Sequence, residues 1–270
     1  METDRNVLFQ GTVPKNYDRY LGPVIFEPFA RDIAGRLRDR NIQSLLEIAC
    51  GTGIVTRRLR DALPMSTEII ATDLNPDMLE FAKSKFKSAE NVRWQQADAS
   101  ALPFPNGLFG AVVCQFGLMF VPDKAGAIRE SYRVLRRGGL LLFNVWDSFE
   151  ANAFAQIAHT TIASFFDHDP PTFYELPFGF YDSKLIRELL RDAGFDKIEL
   201  FSETKPCRSR SALEFATGLV QGNPVGAEAI ERGVNPEDLI KAIAKRISER
   251  FGAAPVESTM RAIVWEAVKP

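Results

Sequence analysis

Between Leu45 and Trp146, short apolar runs alternate with amphipathic stretches. That alternation is the pattern of β-α-β units. It commits the segment to a parallel sheet covered by helices on both faces. Leu45 to Ala49, Glu68 to Thr72, Val92 to Ala97, Phe109 to Phe116 and Leu140 to Trp146 read as five strands. The fourth is apolar almost throughout, as burial of both faces requires. A helix is expected from about Ile54 to Leu63. Another starts at Asn75-Pro76, where asparagine caps and proline gives up only an N–H that has no helical partner. A third starts at Asp123 and carries Ile128, Tyr132 and Leu135 on one face. It is expected to end at Gly138-Gly139, with Arg136 and Arg137 at its negative end.

After Trp146 the pattern changes. The stretch Phe149 to Phe180 holds seven phenylalanines and little strand character. Phe154, Ile157, Ile162 and Phe165 have helical spacing and are expected to pack as a cap over the sheet edge. Asp182 or Ser183 starts a further helix that stops at Gly194. Asp196 to Phe201 and Met260 to Val268 read as two last strands, with helices at Ala212 to Val220 and Pro236 to Phe251 between them. The expected organisation is a single domain over 1–270. Its binding core spans 16–147, and two cap insertions occupy 148–181 and 203–257.

The chain has 270 residues, 46% hydrophobic and 25% charged, with a net charge of −2. These are ordinary globular values. A protein that grips nucleic acid through phosphates shows a basic surplus, so no nucleic-acid partner is expected. The three cysteines, Cys50, Cys114 and Cys207, are odd in number and form no CxxC pair. Neither a disulfide framework nor a metal site is expected. The first thirty residues carry Glu2, Asp4, Arg5, Lys15, Asp18 and Arg19, with no apolar run long enough for a signal or a span. A cytoplasmic location without membrane insertion is therefore expected. Leu8-Phe9-Gln10-Gly11 looks like part of a protease-cleavage scar, yet it runs into plausible native sequence.

The chemistry concentrates at Leu46-Glu47-Ile48-Ala49-Cys50-Gly51-Thr52-Gly53, between the first strand and its helix. Gly51 and Gly53 let the backbone turn sharply and a ligand approach without meeting a Cβ. The Glu47 carboxylate is placed to accept from a cationic amine. Asp73 follows Gly51 by 22 residues and closes the second strand. A carboxylate there can take both hydroxyls of a ribose. Asp98, just past the third strand, suits an adenine amino group. Three acidic residues at three successive strand ends point to a nucleoside ligand. A third glycine of the nicotinamide-dinucleotide fingerprint would fall at position 56, which holds Thr56.

These residues resemble the class I S-adenosylmethionine-dependent methyltransferases, in the branch with ubiquinone/menaquinone-biosynthesis C-methyltransferases and many small-molecule enzymes. Glu47 to Gly53 is similar to the family's E-x-x-C-G-T-G motif. Thr72 to Leu79 is similar to its ribose segment, with Met78 against adenine. Asp98 to Phe104 is similar to its D-A-x-x-L-P-F segment. Leu135 to Gly139 is similar to its L-x-P-G-G turn, with Arg137 in place of proline. Asn16-Tyr17-Asp18-Arg19-Tyr20 looks like the segment that closes over the cofactor, with ordinary packing of an N-terminal helix as the alternative for Tyr17 and Tyr20. The resemblance implies an α/β, Rossmann-like sheet of seven mostly parallel strands in the order 3-2-1-4-5-7-6, the seventh antiparallel. It implies S-adenosyl-L-methionine as methyl donor, S-adenosyl-L-homocysteine as product, and contacts from Ala49, Cys50, Leu74, Ala99 and Gln115 as well.

The expected reaction is in-line methyl transfer to a small, apolar or aromatic organic acceptor. A quinone-type C-methyltransferase at a membrane surface and a non-enzymatic binding module are the alternatives. For the first, Lys241, Lys245, Arg246 and Arg250 offer a basic helix face. Positioning contributes roughly 7–11 kcal/mol and a general base roughly 3–5 kcal/mol, so no universal base is required. His159 is the candidate proton acceptor, although it points roughly 120° from its helix's apolar stripe. Asp169-Pro170-Pro171-Thr172-Phe173 resembles a motif of enzymes that methylate base amines. Its position and the intervening Thr172 make it a proline-stiffened loop instead. The partner expected is a small molecule, and a homodimer is allowed.

Overall fold

The computed structural model describes residues 9–270, so Glu2, Asp4, Arg5 and Leu8 lie outside the described residues. The chain enters through a helical strap. It consists of α1 (Val13–Asn16), a π-helical stretch (Tyr17–Phe26) and α2 (Glu27–Leu37). The alternating core follows as β1 (Ser44–Glu47), α3 (Ile54–Ala62), β2 (Glu68–Asp73), α4 (Pro76–Ser84), β3 (Val92–Gln96), β4 (Phe109–Gln115), α5 (Lys124–Val134) and β5 (Leu135–Trp146). The last third holds α6 (Ala153–Ala163), α7 (Glu175–Phe178), α8 (Ser183–Asp192), β6 (Asp196–Ser209), α9 (Ala212–Gln221), α10 (Val225–Glu231), α11 (Pro236–Phe251) and β7 (Val256–Val268).

All seven strands form one sheet in the order β3-β2-β1-β4-β5-β7-β6, as expected. β1 pairs in parallel with β2 (Leu45↔Ile69) and β4 (Leu46↔Val112), and β7 runs antiparallel between β5 and β6. The alternation of side chains explains the two cores. Leu45, Ile69, Ala111, Val113, Leu142 and Val264 face one way, against Ile33 and Leu37 of α2 and Val55 and Leu59 of α3. Leu46, Ile70, Val112, Leu141 and Phe143 belong to the core on the other side, with Ile128, Ile186 and Leu190. Among the described residues no helix is long and apolar enough to cross a membrane.

Two expectations change. The helix α5 stops at Val134, not at the glycine pair, because Leu135 already has an extended backbone (ψ 138°) and pairs with Phe109. Arg136 and Arg137 therefore lie beyond the helix. Gly138 (φ +69°) sits at an irregularity of β5, where its N–H donates to the Lys269 carbonyl (2.8 Å). Second, β6 continues to Ser209 and β7 begins at Val256. Residues 203–209 thus pair with 256–262 as a two-stranded continuation of the sheet, where the sequence suggested inserted cap. Polar alternation (Glu203, Lys205, Arg208) hid the ribbon in the sequence. Its charges are spent on packing: Arg36 of α2 bonds Asp32 (2.7 Å), Glu203 (2.7 Å) and Glu266 (3.1 Å), and Lys205 bonds Asp32 and Glu203 (both 3.0 Å). Of Leu8-Phe9-Gln10-Gly11, kept as plausible native sequence, the described residues 9–11 are tied to the domain. The Phe9 carbonyl accepts from Asn75 Nδ2 (3.0 Å), and the Gly11 N–H donates to Asp77 (3.3 Å).

Candidate cofactor site

The parallel strands deliver Glu47, Asp73 and Gln115 to one edge of the sheet, where strand order reverses between β1 and β4. Glu47 ends β1 and is 1% exposed. Its Oε2 has no hydrogen-bond partner. Burial is the main cause that pushes its carboxyl up to about 8, and the nearby Asp73 charge adds to it. The loop that follows is held by Asp73. One carboxylate oxygen accepts from the Gly51 N–H (2.7 Å) and the other from the Asn75 N–H (2.9 Å). Burial raises the Asp73 pKa against those bonds. Gly51 has φ +54°, and a Cβ built there would meet nothing within 4 Å, so the loop presents bare backbone to open space.

Beneath the loop the packing is close. Ala49 is itself in the left-handed region (φ +52°), and a Cβ on Gly117 would lie 2.5 Å from the Ala49 Cβ and 2.8 Å from Cys114 Sγ. Gly117→Ala is expected to cost about 1–3 kcal/mol of stability through this overpacking. Urea unfolding checks it, and an unchanged midpoint would refute the account.

A narrow cavity of about 30 Å³ is lined by Tyr17, Phe26, Glu47, Ala49, Cys50, Gly51, Thr52, Ile54, Val55 and Gln115. The Tyr17 ring stacks on Phe26 (4.5 Å, 17°). Burial, with Asp73 and Asp18 beside it, keeps its hydroxyl protonated. Gln115 donates to the Phe26 carbonyl (3.3 Å), and its Oε1 has no partner. Cys50 is buried, with a thiol pushed well above its ordinary range, so it lines the wall without acting as a nucleophile. Cavity space of this size holds about one water.

The remaining expected residues divide. Leu74 is 59% exposed beside Asp73, an apolar side chain left open at the rim, while Met78 is buried. Asp98 is exposed, and its Oδ1 accepts from the Ser100 N–H (2.8 Å) and hydroxyl (2.7 Å); Ala99 is half-buried next to it. Tyr20 is not in the cavity. It lies against α9, where a Cβ on Gly218 would fall 2.8 Å from the Tyr20 Cβ. His159 stacks on Phe149 (5.2 Å), with Nε2 3.8 Å from Glu175 and Nδ1 buried without a partner. It is one end of an aromatic wall that continues through Phe149–Phe178 (5.2 Å), Phe178–Trp146 (5.7 Å) and Trp146–Phe116 (3.9 Å, 7°). Phe26, Thr52, Ile54 and Val55 were missed in the sequence. The helical run after Gly53 was the available signal for the last two. Nothing local marks Phe26.

The orphaned Glu47 oxygen, the anchored Asp73 and the bare Gly51 backbone fit an aminoacyl nucleoside. Residues 46–143 match the family model described as a methyltransferase domain. The chain thus carries a methyltransferase domain over those residues and is similar to the class I S-adenosylmethionine-dependent enzymes. It is similar to the ubiquinone/menaquinone biosynthesis C-methyltransferase of Pectobacterium carotovorum, 29% identical over 197 residues that cover 67% of this chain and 76% of that protein. The corresponding Escherichia coli protein is 28% identical over 195 residues, with the same coverage. Among solved structures, this methyltransferase has the fold of the YcgJ protein from Bacillus subtilis (TM-score 0.57, 19% identity, 88% of this chain and 98% of that one). It also has that of the Haemonchus contortus phosphoethanolamine N-methyltransferase 2 crystallised with S-adenosyl-L-methionine (TM-score 0.63, 18% identity, 100% and 60%). The methyltransferase uses S-adenosylmethionine as its donor.

Proposed function

We propose that this methyltransferase passes the donor methyl, by in-line displacement, to a small apolar or aromatic acceptor. The observation that carries it is the aromatic wall beginning at Phe116, one residue past Gln115 of the donor cavity. The sulfonium supplies an activated methyl. The chain's own residues orient it and exclude water, the larger share of the barrier at roughly 7–11 kcal/mol. The cap, residues 148–181 with the inserted helices α9 to α11, is assigned to the acceptor side. Calorimetry with S-adenosylhomocysteine, followed by transfer of labelled methyl to a panel of phenols, amines and quinols, tests the reading. Transfer only to charged polar acceptors would sink it.

His159 is the proposed proton acceptor at the far end of the wall, with Glu175 beside it. His159→Gln is expected to lower kcat by about 10²–10⁴ without changing homocysteine-product affinity. Unchanged turnover at every pH would leave positioning alone.

The quinol reading is favoured by the names of the sequence relatives. Lys241, Lys245, Arg246 and Arg250 are all exposed on α11 and offer a face to anionic lipid. Co-sedimentation with anionic vesicles separates a membrane-surface enzyme from one acting in solution. The charge balance favours no nucleic-acid partner, and a homodimer stays compatible with the reading.

A further inference from the structure

A groove of about 630 Å³ opens between the end of the cap and the β6–β7 edge of the sheet, and it shares no lining residue with the donor cavity. Its base comes from the strands. Leu200 and Ser202 alternate onto one face of β6, and Ile263 of β7 pairs directly with Ser202. Arg261 stands two residues from Ile263 and so shares that face. Asp147, just past β5, joins them, and the remaining lining comes from the turn 179–183 that starts α8.

The groove is rich in polar atoms that the fold itself does not use. Arg261 gives its Nε to Asp147 (2.7 Å), and its Nη1 and Nη2 have no partner among the described residues. The hydroxyls of Tyr181, Ser183 and Ser202 have none there either. Asp182 spends Oδ1 on capping α8, accepting from Lys184 N (2.8 Å) and Leu185 N (3.3 Å), and keeps Oδ2. Asp147 is fully engaged, since its Oδ1 accepts from the Ser148 N–H (2.7 Å) and its Oδ2 holds Arg261. What stays open is a guanidinium edge that donates, a carboxylate oxygen that accepts, and hydroxyls that do both.

We propose that this groove is a binding site for a neutral, hydroxyl-rich ring of the pyranose kind. Each hydroxyl of such a ring donates and accepts, which answers the mixed set of open groups. An anion would meet two carboxylates against one guanidinium, and a cation would meet the free guanidinium edge. A wholly apolar guest would strip water from these groups without replacing their hydrogen bonds. The C–H face of the ring is served by Leu200, Ile263 and the Tyr181 ring. Tyr181 is 42% exposed, and among the described residues no other ring or cation packs on it. An amphipathic side chain of this type offers an apolar body and a polar tip to one guest. The 630 Å³ falls within the range of small-ligand sites, roughly 300–1,000 Å³.

The test is saturation-transfer NMR of the full chain with methyl α-D-glucopyranoside, methyl β-D-galactopyranoside and methyl α-L-rhamnopyranoside. At least one glycoside should receive magnetisation, with the millimolar affinity of an open groove, and an equal concentration of inorganic phosphate should leave the signal in place. Tyr181→Ala and Ser202→Val, both at exposed positions, should each weaken that binding about tenfold while S-adenosylhomocysteine affinity stays unchanged. Where one variant loses its thermal unfolding transition, the other is read. Absence of transfer to all three glycosides would overturn the proposal. So would displacement by phosphate, or undiminished glycoside affinity in the folded variants. The p-nitrophenyl glycosides then separate two sources of the same ring. Binding tighter by about tenfold marks a glycosyl unit carried on a larger molecule, and equal binding marks a free polyol.

Discussion

Glu47→Gln is expected to stabilise the ligand-free protein at alkaline pH while weakening its grip on the methyl donor. The carboxyl is 1% exposed with one oxygen unpartnered, and its folded pKa is raised from 4.5 to about 8, chiefly by burial. Between those values the folded chain keeps a proton that the unfolded chain has released. Stability from this group is therefore whole below about pH 4.5 and is lost as pH rises through about 8. At ~1.4 kcal/mol per pH unit, the loss is on the order of a few kcal/mol. Glutamine carries no such cost. Thermal unfolding from pH 5 to 9 should show a falling profile for the parent and a flatter one for the variant; parallel profiles would contradict the buried-acid account.

Donor binding moves the other way. The parent must ionise Glu47 to pair with the donor ammonium, so affinity should rise with pH up to about 8. It should fall again as an α-amino group of ordinary pKa, about 8, loses its charge. Losing one charge-assisted bond costs about 1.5–3 kcal/mol, or roughly 10- to 150-fold in affinity. The variant should bind that much more weakly and lose the rising limb. Calorimetry at pH 6, 7 and 8 reads both effects.

Asp73→Ala is expected to damage fold and binding together. The carboxylate takes the Gly51 N–H and the Asn75 N–H, so its removal strands two backbone donors and frees the glycine loop. An unsatisfied buried donor costs about 1–3 kcal/mol, which puts the stability loss for two at about 2–6 kcal/mol. With the ribose acceptor gone as well, donor affinity should fall more than about 100-fold, since ~2.7 kcal/mol is that factor. Asp98→Ala is the comparison. Its carboxylate is exposed and serves only the adjoining Ser100 turn, so stability should stay within about 0.5 kcal/mol while donor affinity drops. Urea unfolding of the two variants decides whether Asp73 is an anchor of the loop or only a ligand contact. Equal stability of both would reject the anchor.

The glycine loop, its three acidic neighbours and the five parallel strands were legible in the chain because they are local. A strand, a turn and a helix cap are written in periods of two and 3.6 residues and in the few residue types that tolerate a given backbone angle. That grammar names the face a side chain occupies and is silent about what it meets. Hence α5 was run four residues too far, into Gly138: the Leu135–Phe109 pairing that ends it lies across the sheet. The ribbon beyond Phe201 looked polar because its charges answer Asp32 and Arg36, more than 160 positions earlier. Tyr17 and Tyr20 stand three residues apart in the same motif, yet one lines the narrow cavity at the glycine loop and the other leans on α9. Phe9 carried no local mark at all. It packs against rings at positions 17, 120 and 173, which only chain folding brings within 6.3 Å.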